Sequence, residues 1–295
     1  MKVVATINFK GGVGKTTITW LMAKYIAEKI GKKVLVFDGD AQMSLTLALS
    51  VDESSGRLFE KFGKWYAQHQ NANKTILDAL EAYRKWAEGE EYYFNFPINR
   101  RFFYEISHNL FFVPSVTDLY WLELEYQKYK PEIVKGFVKA LLGKITNVHN
   151  SPIRPDIVFF DCPPNFTALS YSILSNCSTI LIPVNPDVFA STGVQIMIEG
   201  LKKRVQPWPD PKLAVFLNKA RLWRGQFTRE TATFFSAVKD AVKGQISGGE
   251  PVYVCKAFIP ERADIRKAIN FGGFPQDYLP FFEALYTELE NRDLI

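Results

Sequence analysis

Short apolar runs that alternate with longer helical patterns most restrict how this chain can fold. Each run is nearly continuous rather than alternating, which is typical of strands buried on both faces of a parallel sheet. In chain order they are KVVATINF, KKVLVFD, NLFFVPS, DIVFFDCPP, STILIPVNP, KLAVFLNKAR and PVYVCKAFIP. After the first run, apolar residues recur at helical spacing at Ile18, Leu21, Met22, Tyr25 and Ile26. We therefore predict an α/β fold with a mostly parallel, doubly wound sheet flanked by helices.

The chain shows no internal repeat, low-complexity tract or obvious linker, so we predict a single domain over residues 1–295. Residues 54–108 fit the alternation least well, because they are rich in aromatic residues and contain one helical pattern, KTILDALEAYRKWAEG. We interpret this segment as a helical and aromatic insertion. In one interpretation it packs on the sheet, and in the other it forms a partner-binding surface.

Composition is that of an ordinary globular protein, with 47% hydrophobic and 23% charged residues. No apolar run approaches the ~20 residues that a membrane-spanning helix requires. The first apolar run begins at residue 2, so we expect no cleaved leader. The cysteines Cys162, Cys177 and Cys255 have no paired spacing, which favours reduced thiols and a cytoplasmic location.

The segment INFKGGVGKTTITW, from Ile7 to Trp20, nearly matches the phosphate-binding loop G-x-x-x-x-G-K-[ST]. Its glycines let backbone N–H groups converge on phosphate oxygens, and the helix that follows adds its N-terminal dipole. Phe9 takes the place of the first glycine and is followed by a second lysine, Lys10. We therefore predict a P-loop NTPase. The predicted nucleotide-binding residues are Gly11, Gly12, Val13, Gly14, Lys15, Thr16 and Thr17.

Two further apolar runs end in carboxylates, where parallel sheets hold their ligands. Asp38 and Asp40 close one run, and one of them could orient a water for in-line attack. They could instead be loop aspartates that cap a turn. Asp161 ends the run IVFFD, where a metal-coordinating acid is expected, and Thr16 supplies a hydroxyl for Mg²⁺. The pattern predicts a nucleoside triphosphate bound together with Mg²⁺.

The tetrapeptide Asn218 to Arg221, NKAR, resembles the N-K-x-D signature of guanine-binding proteins but lacks its final carboxylate. Without that acceptor for the guanine N1 and N2 donors, guanine specificity loses its main source. Adenine, and hence ATP, is favoured.

The motifs KGGVGKTT, DGDAQ, DCPP, LIPVNPDVFASTG and IPERADIRKAINFG occur in this order. Together they resemble the deviant-Walker ATPases of the ParA partition family. The likeness covers about the first 50 residues, residues 109–126 and, intermittently, residues 155–273. It implies a slow ATPase that forms an ATP-dependent sandwich homodimer, binds DNA without sequence preference and positions a cargo such as a plasmid, a chromosome or a carboxysome. An adaptor protein would trigger hydrolysis, and the protein would be nucleoid-associated.

Carried over residue by residue, the resemblance assigns a role to each site position. Lys10 would be the signature lysine, which reaches the phosphates of the partner subunit, while Lys15 serves its own nucleotide. Asp40 would orient the attacking water, and Asp161 would hold Mg²⁺ through bound water. For adenine, the resemblance adds Asn218 and the backbone around Pro260.

A basic segment lies towards the C-terminus. Residues 200–272 contain fourteen Lys or Arg against six Asp or Glu, a net charge of +8. Such a segment can bind a polyanion or can simply be a solvated surface. By resemblance, Arg266 and Lys267 lie where DNA contacts are common, and Arg221 and Arg224 extend that face.

Other functions remain open from the sequence alone. A membrane-cycling relative of the Min-system regulator requires a basic amphipathic C-terminal helix, but FFEALYTELENRDLI is acidic, so no membrane contact is expected. A metabolic P-loop ATPase or kinase without DNA binding uses the same loop. The chain also departs from the ParA pattern, because Ala41 replaces the usual proline after the second aspartate.

Overall fold

The computed structural model describes residues 1–50, 63, 66–68, 74–94, 102–121, 124–125, 131–147, 153–188, 190–261 and 274–295. Within these ranges the strands are β1 (Lys2–Thr6), β2 (Val34–Asp38), β3 (Tyr104–Ser107), β4 (Leu110–Val113), β5 (Ile157–Asp161), β6 (Thr179–Val184), β7 (Lys212–Leu217), β8 (Leu222–Trp223), β9 (Gln226–Phe227), β10 (Ile246–Ser247), β11 (Glu250–Pro251) and β12 (Tyr253–Val254).

The helices of the same ranges are α1 (Lys15–Tyr25), α2 (Ser44–Ser50), α3 (Ile76–Ala87), α4 (Pro131–Lys135), α5 (Phe137–Asn147), α6 (Ala168–Leu174), α7 (Ala190–Arg204), α8 (Arg229–Val242) and α9 (Leu279–Glu290). A π-helical turn (Ile26–Ile30) continues α1, and a 3₁₀ turn (Gln276–Tyr278) precedes α9. No helix in this part of the chain is long and apolar enough to cross a bilayer.

Eight strands of the described chain form one sheet in the order β12-β7-β6-β1-β5-β2-β4-β3. Neighbouring pairs in this sheet are parallel except for β3 with β4, which are antiparallel at one edge. Each apolar run of the sequence supplies one strand, so the predicted α/β class with a mostly parallel, helix-flanked sheet is confirmed. The antiparallel edge strand β3 lies in the aromatic part of the segment 54–108.

Helices cover both faces of the sheet. Successive residues of a strand point to opposite faces, so each strand contributes side chains to both of the buried clusters between sheet and helices. Phe37 and Phe160 belong to one buried cluster, and their stacked rings lie 4.9 Å apart between centroids. Val36 and Phe159, one position earlier in the same strands, belong to the second cluster, which also contains α1 and α9 residues. This packing on two sides explains why the strands read as continuous apolar runs rather than as alternating patterns.

The helical pattern predicted in the segment 54–108 forms α3. Its N-terminus has a capping box, in which Thr75 Oγ1 accepts from Asp78 N–H at 3.2 Å and an Asp78 carboxylate oxygen accepts from Thr75 N–H at 2.8 Å. Ile76, Leu80 and Tyr83 bury the inner face of α3 in the same cluster as Phe160. The helix is therefore packed onto the domain, as in the first of the two interpretations. Residues 51–62 and 95–101 lie outside the described residues, and the single-domain organisation over 1–295 stays a prediction.

Parallel register brings the polar strand ends to one edge of the sheet. Thr6 of β1 and Asp38 of β2 both pair with Asp161 of β5, so the ends of the three strands lie side by side. The Asn218 N–H donates to the Val184 carbonyl at 2.7 Å, which aligns the ends of β6 and β7 with them. Ligands of open parallel sheets bind outside this edge.

We expect Phe160→Ala to lower the free energy of unfolding by about 3–5 kcal/mol, because it leaves a cavity beside the Phe37 ring at the centre of the sheet. Urea unfolding followed by circular dichroism measures the loss. Tyr92→Ala is the control, since the Tyr92 side chain is 97% exposed and its truncation should change stability by less than about 0.5 kcal/mol. A loss below about 1 kcal/mol for Phe160→Ala would contradict the packing described here.

Candidate nucleotide-binding site

The phosphate loop lies between β1 and α1 and is held from outside by the end of β7. Asn218 Nδ2 donates to the Val13 carbonyl at 2.7 Å, and Lys219 Nζ donates to the Gly12 carbonyl at 2.6 Å. Gly14 caps α1 with a φ of 90°, and a Cβ added there would come within 2.2 Å of Asn218 Nδ2. Glycine is therefore required at this position by its backbone conformation and by the close approach of Asn218.

The two lysines of the loop face different ways. Lys15 is buried, and its Nζ lies 3.5 Å from the Lys10 carbonyl oxygen, inside the loop. Burial lowers the pKa of the Lys15 ammonium, whereas the negative charges of Asp161 and Asp40 act in the opposite direction. The Lys10 side chain is 45% exposed and forms an ion pair with Asp187, which follows β6. Lys15 thus belongs to the interior of its own loop, and Lys10 lies at the protein surface.

Asp161 ends β5 next to the first turn of α1. Its carboxylate accepts hydrogen bonds from the hydroxyl of Thr16 and, at 3.5 Å through Oδ1, from Thr19 Oγ1. Its Oδ2 is buried and has no hydrogen-bond partner among the described residues. Burial raises the pKa of Asp161, and neighbouring Asp38 raises it further. An unpartnered carboxylate oxygen beside a threonine hydroxyl fits Mg²⁺, which prefers oxygen ligands.

Asp38 and Asp40, only two residues apart, have different environments. Asp38 is completely buried, and its Oδ2 accepts from both the N–H and the hydroxyl of Thr46 in α2, each at 2.7 Å. Its Oδ1 accepts from the Asp40 N–H at 3.1 Å. Burial raises the pKa of Asp40, whereas the Gln42 N–H, at 2.9 Å from its Oδ1, and the Lys15 charge lower it. Asp38 therefore holds α2 and the Asp40 loop in place, while Asp40 lies at the cleft.

A cleft of about 360 Å³ runs over the phosphate loop. It is lined by Gly11, Gly12, Gly14, Lys15, Thr16, Thr17, Trp20, Asp40, Gln42, Ser44, Ala48 and Pro164. The cleft combines backbone donors, a buried ammonium and a carboxylate that is only partly buried. These groups can bind a chain of phosphates and hold a water against it.

Asn218 and Pro260, the two residues expected at the adenine, lie close to each other. Pro260 forms an isolated β-bridge with Ala220. Ala220 follows Asn218 by two residues in the chain. The Asn218 Nδ2 donates its hydrogen bond to the Val13 carbonyl. The Asn218 Oδ1 is buried and has no hydrogen-bond partner among the described residues. This free acceptor suits the exocyclic amino group of adenine.

The structure describes two of the four basic residues expected to contact DNA, and their surroundings differ. Arg221 forms ion pairs with Glu261 at 2.8 Å and with Glu230 at 3.7 Å, so its charge is largely balanced. Arg224 lies at the tip of the β8–β9 hairpin, with its guanidinium 6.0 Å from the centre of the exposed Trp223 ring. The two positions in the last motif, Arg266 and Lys267, lie outside the described residues.

Sequence reasoning missed two residues that contact the loop. Asp187, which binds Lys10, follows β6 in the motif LIPVNPDVFASTG, so the rule that polar residues at strand ends form the site could have found it. Lys219, which donates to the Gly12 carbonyl, belongs to the tetrapeptide that resembles a guanine signature. Its φ of 56° is unusual for a lysine and could not be read from the sequence.

The AAA domain family model AAA_31 matches residues 1–214 of the chain. The chain belongs to this family and is a ParA-type ATPase. The match covers the phosphate loop, both acidic strand ends and most of the sheet.

Known proteins similar to this ParA-type ATPase include partition and division proteins. The chromosome-partitioning ATPase Soj of Treponema pallidum is 25% identical over 72% of this chain and 68% of its own length. The cell division protein PomZ of Myxococcus xanthus is 28% identical over 66% of this chain and 50% of its own length. A Cyanothece McdA structure in complex with ATP superposes with a TM-score of 0.70 at 19% identity, covering 98% of this chain and 96% of that one. At that identity the likeness to McdA shows the fold alone.

We expect Asp161→Asn to stabilise the nucleotide-free protein at neutral pH and to do so less at acidic pH. A carboxyl group with a raised pKa stays protonated in the folded state after the unfolded chain has ionised, so its contribution to the free energy of unfolding falls as pH rises. Asparagine removes this loss. Urea unfolding of both proteins at mildly acidic and at neutral pH measures the difference.

Asp210→Asn is the control with the opposite sign. The Gly248 N–H, 2.8 Å from its carboxylate, lowers the pKa of Asp210, so the native aspartate gains stability as pH rises. Destabilisation by Asp161→Asn at every pH would show instead that neighbouring cations stabilise the Asp161 carboxylate.

Proposed function

We propose that this chain is a positioning ATPase. It dimerises on binding ATP, the dimer binds DNA without sequence preference, and an adaptor protein triggers hydrolysis and release from the DNA, so that a cargo is positioned or segregated. The cargo is a plasmid, a chromosome or a protein body such as a carboxysome. The protein acts in the cytoplasm, associated with the nucleoid, as one domain over residues 1–295.

The placement of Lys10 carries this proposal. A phosphate loop that served only its own nucleotide would need one lysine, and Lys15 already lies inside the loop. Lys10 lies on the outer surface, paired with Asp187, where its ammonium can exchange that carboxylate for the phosphates of a second copy. ATP binding would then favour the dimer, because the phosphates bound by one subunit would contact that subunit's Lys15 and the Lys10 of the other subunit.

The remaining site residues divide the chemistry of hydrolysis between them. Asp40 orients the attacking water, and Lys15 with the loop N–H groups stabilises the charge that develops on the phosphates. Thr16 and Asp161 would hold Mg²⁺, which neutralises charge on the phosphate oxygens when it is bound. Asn218 and the backbone around Pro260 bind adenine.

The basic segment supports the DNA-binding part of the proposal. Phosphate contacts need only cations, so they are insensitive to sequence and sensitive to salt. Arg224, exposed beside Trp223 at a hairpin tip, is the described arginine best placed for such a contact. Arg266 and Lys267 are proposed as further contacts on the strength of the family resemblance.

A membrane-cycling function is disfavoured by the packing of α9. Its apolar residues Phe282, Leu285, Tyr286 and Leu289 are buried in the core, so this face of the helix is not available to a bilayer. A metabolic ATPase or kinase is the remaining alternative, and it predicts no ATP-dependent DNA binding.

We expect ATP to convert Asp40→Ala into a stable dimer that retains random-sequence duplex DNA, whereas Lys10→Ala stays monomeric and does not bind. Asp40→Ala removes the water-orienting carboxylate and traps the ATP state, with basal hydrolysis lowered by at least about 100-fold. Light scattering gives the mass with ADP and with ATP, and DNA retention is measured at two salt concentrations.

An ATP-dependent dimer that does not bind DNA would contradict the positioning function and favour a metabolic ATPase or kinase. An Asp40→Ala protein that stays monomeric with ATP would disprove the role given to Lys10. Lys15→Ala is the control for nucleotide binding itself, since its loss of dimerisation should be accompanied by loss of ATP binding.

We further expect Arg224→Ala to weaken DNA binding about equally for all sequences and to reduce the slope of log K against log salt by about 1. Arg292→Ala is the matched control, because Arg292 also lies over an aromatic ring, that of Tyr253, but in the acidic C-terminal segment. Equal effects of the two changes would mean that total charge, rather than the hairpin, determines DNA binding.

A further inference from the structure

We propose that Tyr120 is a positioning residue for ATP hydrolysis, because its phenol holds the Gln42 side chain and so fixes the loop that carries Asp40. The proposal rests on the role given to Asp40 in the proposed function. It adds a residue from the segment that follows β4 to a site otherwise built from the phosphate loop, β2 and β5.

The Asp40 loop is a tight turn over residues 40–43. The Gln42 N–H donates to Asp40 Oδ1 at 2.9 Å, and the Met43 N–H donates to the Asp40 carbonyl at 2.9 Å. Met43 has a φ of 55°, the left-handed region that methionine rarely adopts. Such a conformation persists only where the surroundings hold it, so contacts from outside the turn matter for its geometry. Asp38 holds one end of the turn through the Asp40 N–H.

Tyr120 contacts the other end of the turn. The Gln42 Nε2 donates a hydrogen bond to the Tyr120 hydroxyl. Tyr120 lies in helical backbone that begins at Leu119, after β4, and its N–H donates to the Thr117 carbonyl at 3.1 Å. The preceding residue, Leu119, is only 1% exposed, so the backbone that carries the phenol is anchored in the core.

Asp40 and Tyr120 also line the same cavity. Its volume is about 250 Å³, and it adjoins the cleft over the phosphate loop, with which it shares Asp40 and Pro164. Gln42 lines the nucleotide cleft, whereas Tyr120 does not. The contact of Tyr120 with the nucleotide cleft therefore runs through Gln42, which is hydrogen-bonded to its hydroxyl.

The chemistry of the contact predicts which kinetic constant changes. Phenylalanine keeps the ring and removes only the acceptor oxygen, which leaves the Gln42 amide to water and releases one end of the turn. The water that Asp40 orients is then held less well in the transition state, whereas the phosphate loop and adenine site are unchanged. A loss confined to the transition state lowers kcat and leaves KM unchanged.

The experiment measures basal ATP hydrolysis by the full chain for Tyr120→Phe, Gln42→Ala, the double variant and Asp40→Ala. We expect Tyr120→Phe to lower kcat about fivefold, the effect of one neutral hydrogen bond, with KM and ATP affinity unchanged. In the Gln42→Ala background, Tyr120→Phe should have no further effect, because the hydroxyl has then lost its partner. Trp121→Phe is the matched control, since the adjacent Trp121 side chain is 67% exposed.

Three results would overturn the proposal: equal kcat for Tyr120→Phe and Trp121→Phe, independent effects of Tyr120→Phe and Gln42→Ala, or a parallel change in kcat, KM and thermal stability. Asp40→Ala separates this inference from the proposed function. If Asp40→Ala keeps the kcat of the unsubstituted protein, the role of Asp40 fails. If Asp40→Ala is inactive while Tyr120→Phe is fully active, only the role of Tyr120 fails.

Discussion

Two buried carboxylates at the centre of the sheet are the constraint on which the site depends. Asp38 and Asp161 pair in register at the ends of β2 and β5, burial raises the pKa of both, and the Asp38 charge raises the pKa of Asp161 further. Burying a charge without compensation is costly, so each group must find partners. Asp38 finds them in Thr46 and the Asp40 N–H, whereas one oxygen of Asp161 has none among the described residues. That remaining oxygen leaves the site suited to a cation.

The same constraint organises the surroundings of the cleft. Because Asp38 is satisfied by α2 and by the Asp40 loop, these two segments are held against the end of β2. Thr46 extends the network, since its Oγ1 accepts from the Ser115 N–H of the segment after β4 at 2.9 Å. Three neighbouring chain segments are thus tied to one buried carboxylate. This network fixes the position of Asp40, whose own side chain is only partly buried at the cleft.

The phosphate loop is held in place from its other side, by residues at the end of β7. Asn218 and Lys219 hold the Val13 and Gly12 carbonyls, so the end of β7 supports the phosphate loop from outside. The same strand end leads directly into the β8–β9 hairpin that carries Arg224. The nucleotide loop and the exposed basic hairpin are therefore connected through a few residues of continuous backbone.

The sequence by itself determined the α/β class, the phosphate loop and the acidic strand ends, because continuous apolar runs require a sheet covered on both faces and ligands bind where its strands end. It also predicted α3, whose periodicity and capping box are local. It did not predict that Lys10 pairs with Asp187, that Lys219 binds the loop, or that Tyr120 reaches Gln42. These contacts join residues 78 to 207 positions apart. Only the tertiary structure decided them, because they depend on strand order and on loop conformations with positive φ, which short-range sequence patterns do not encode.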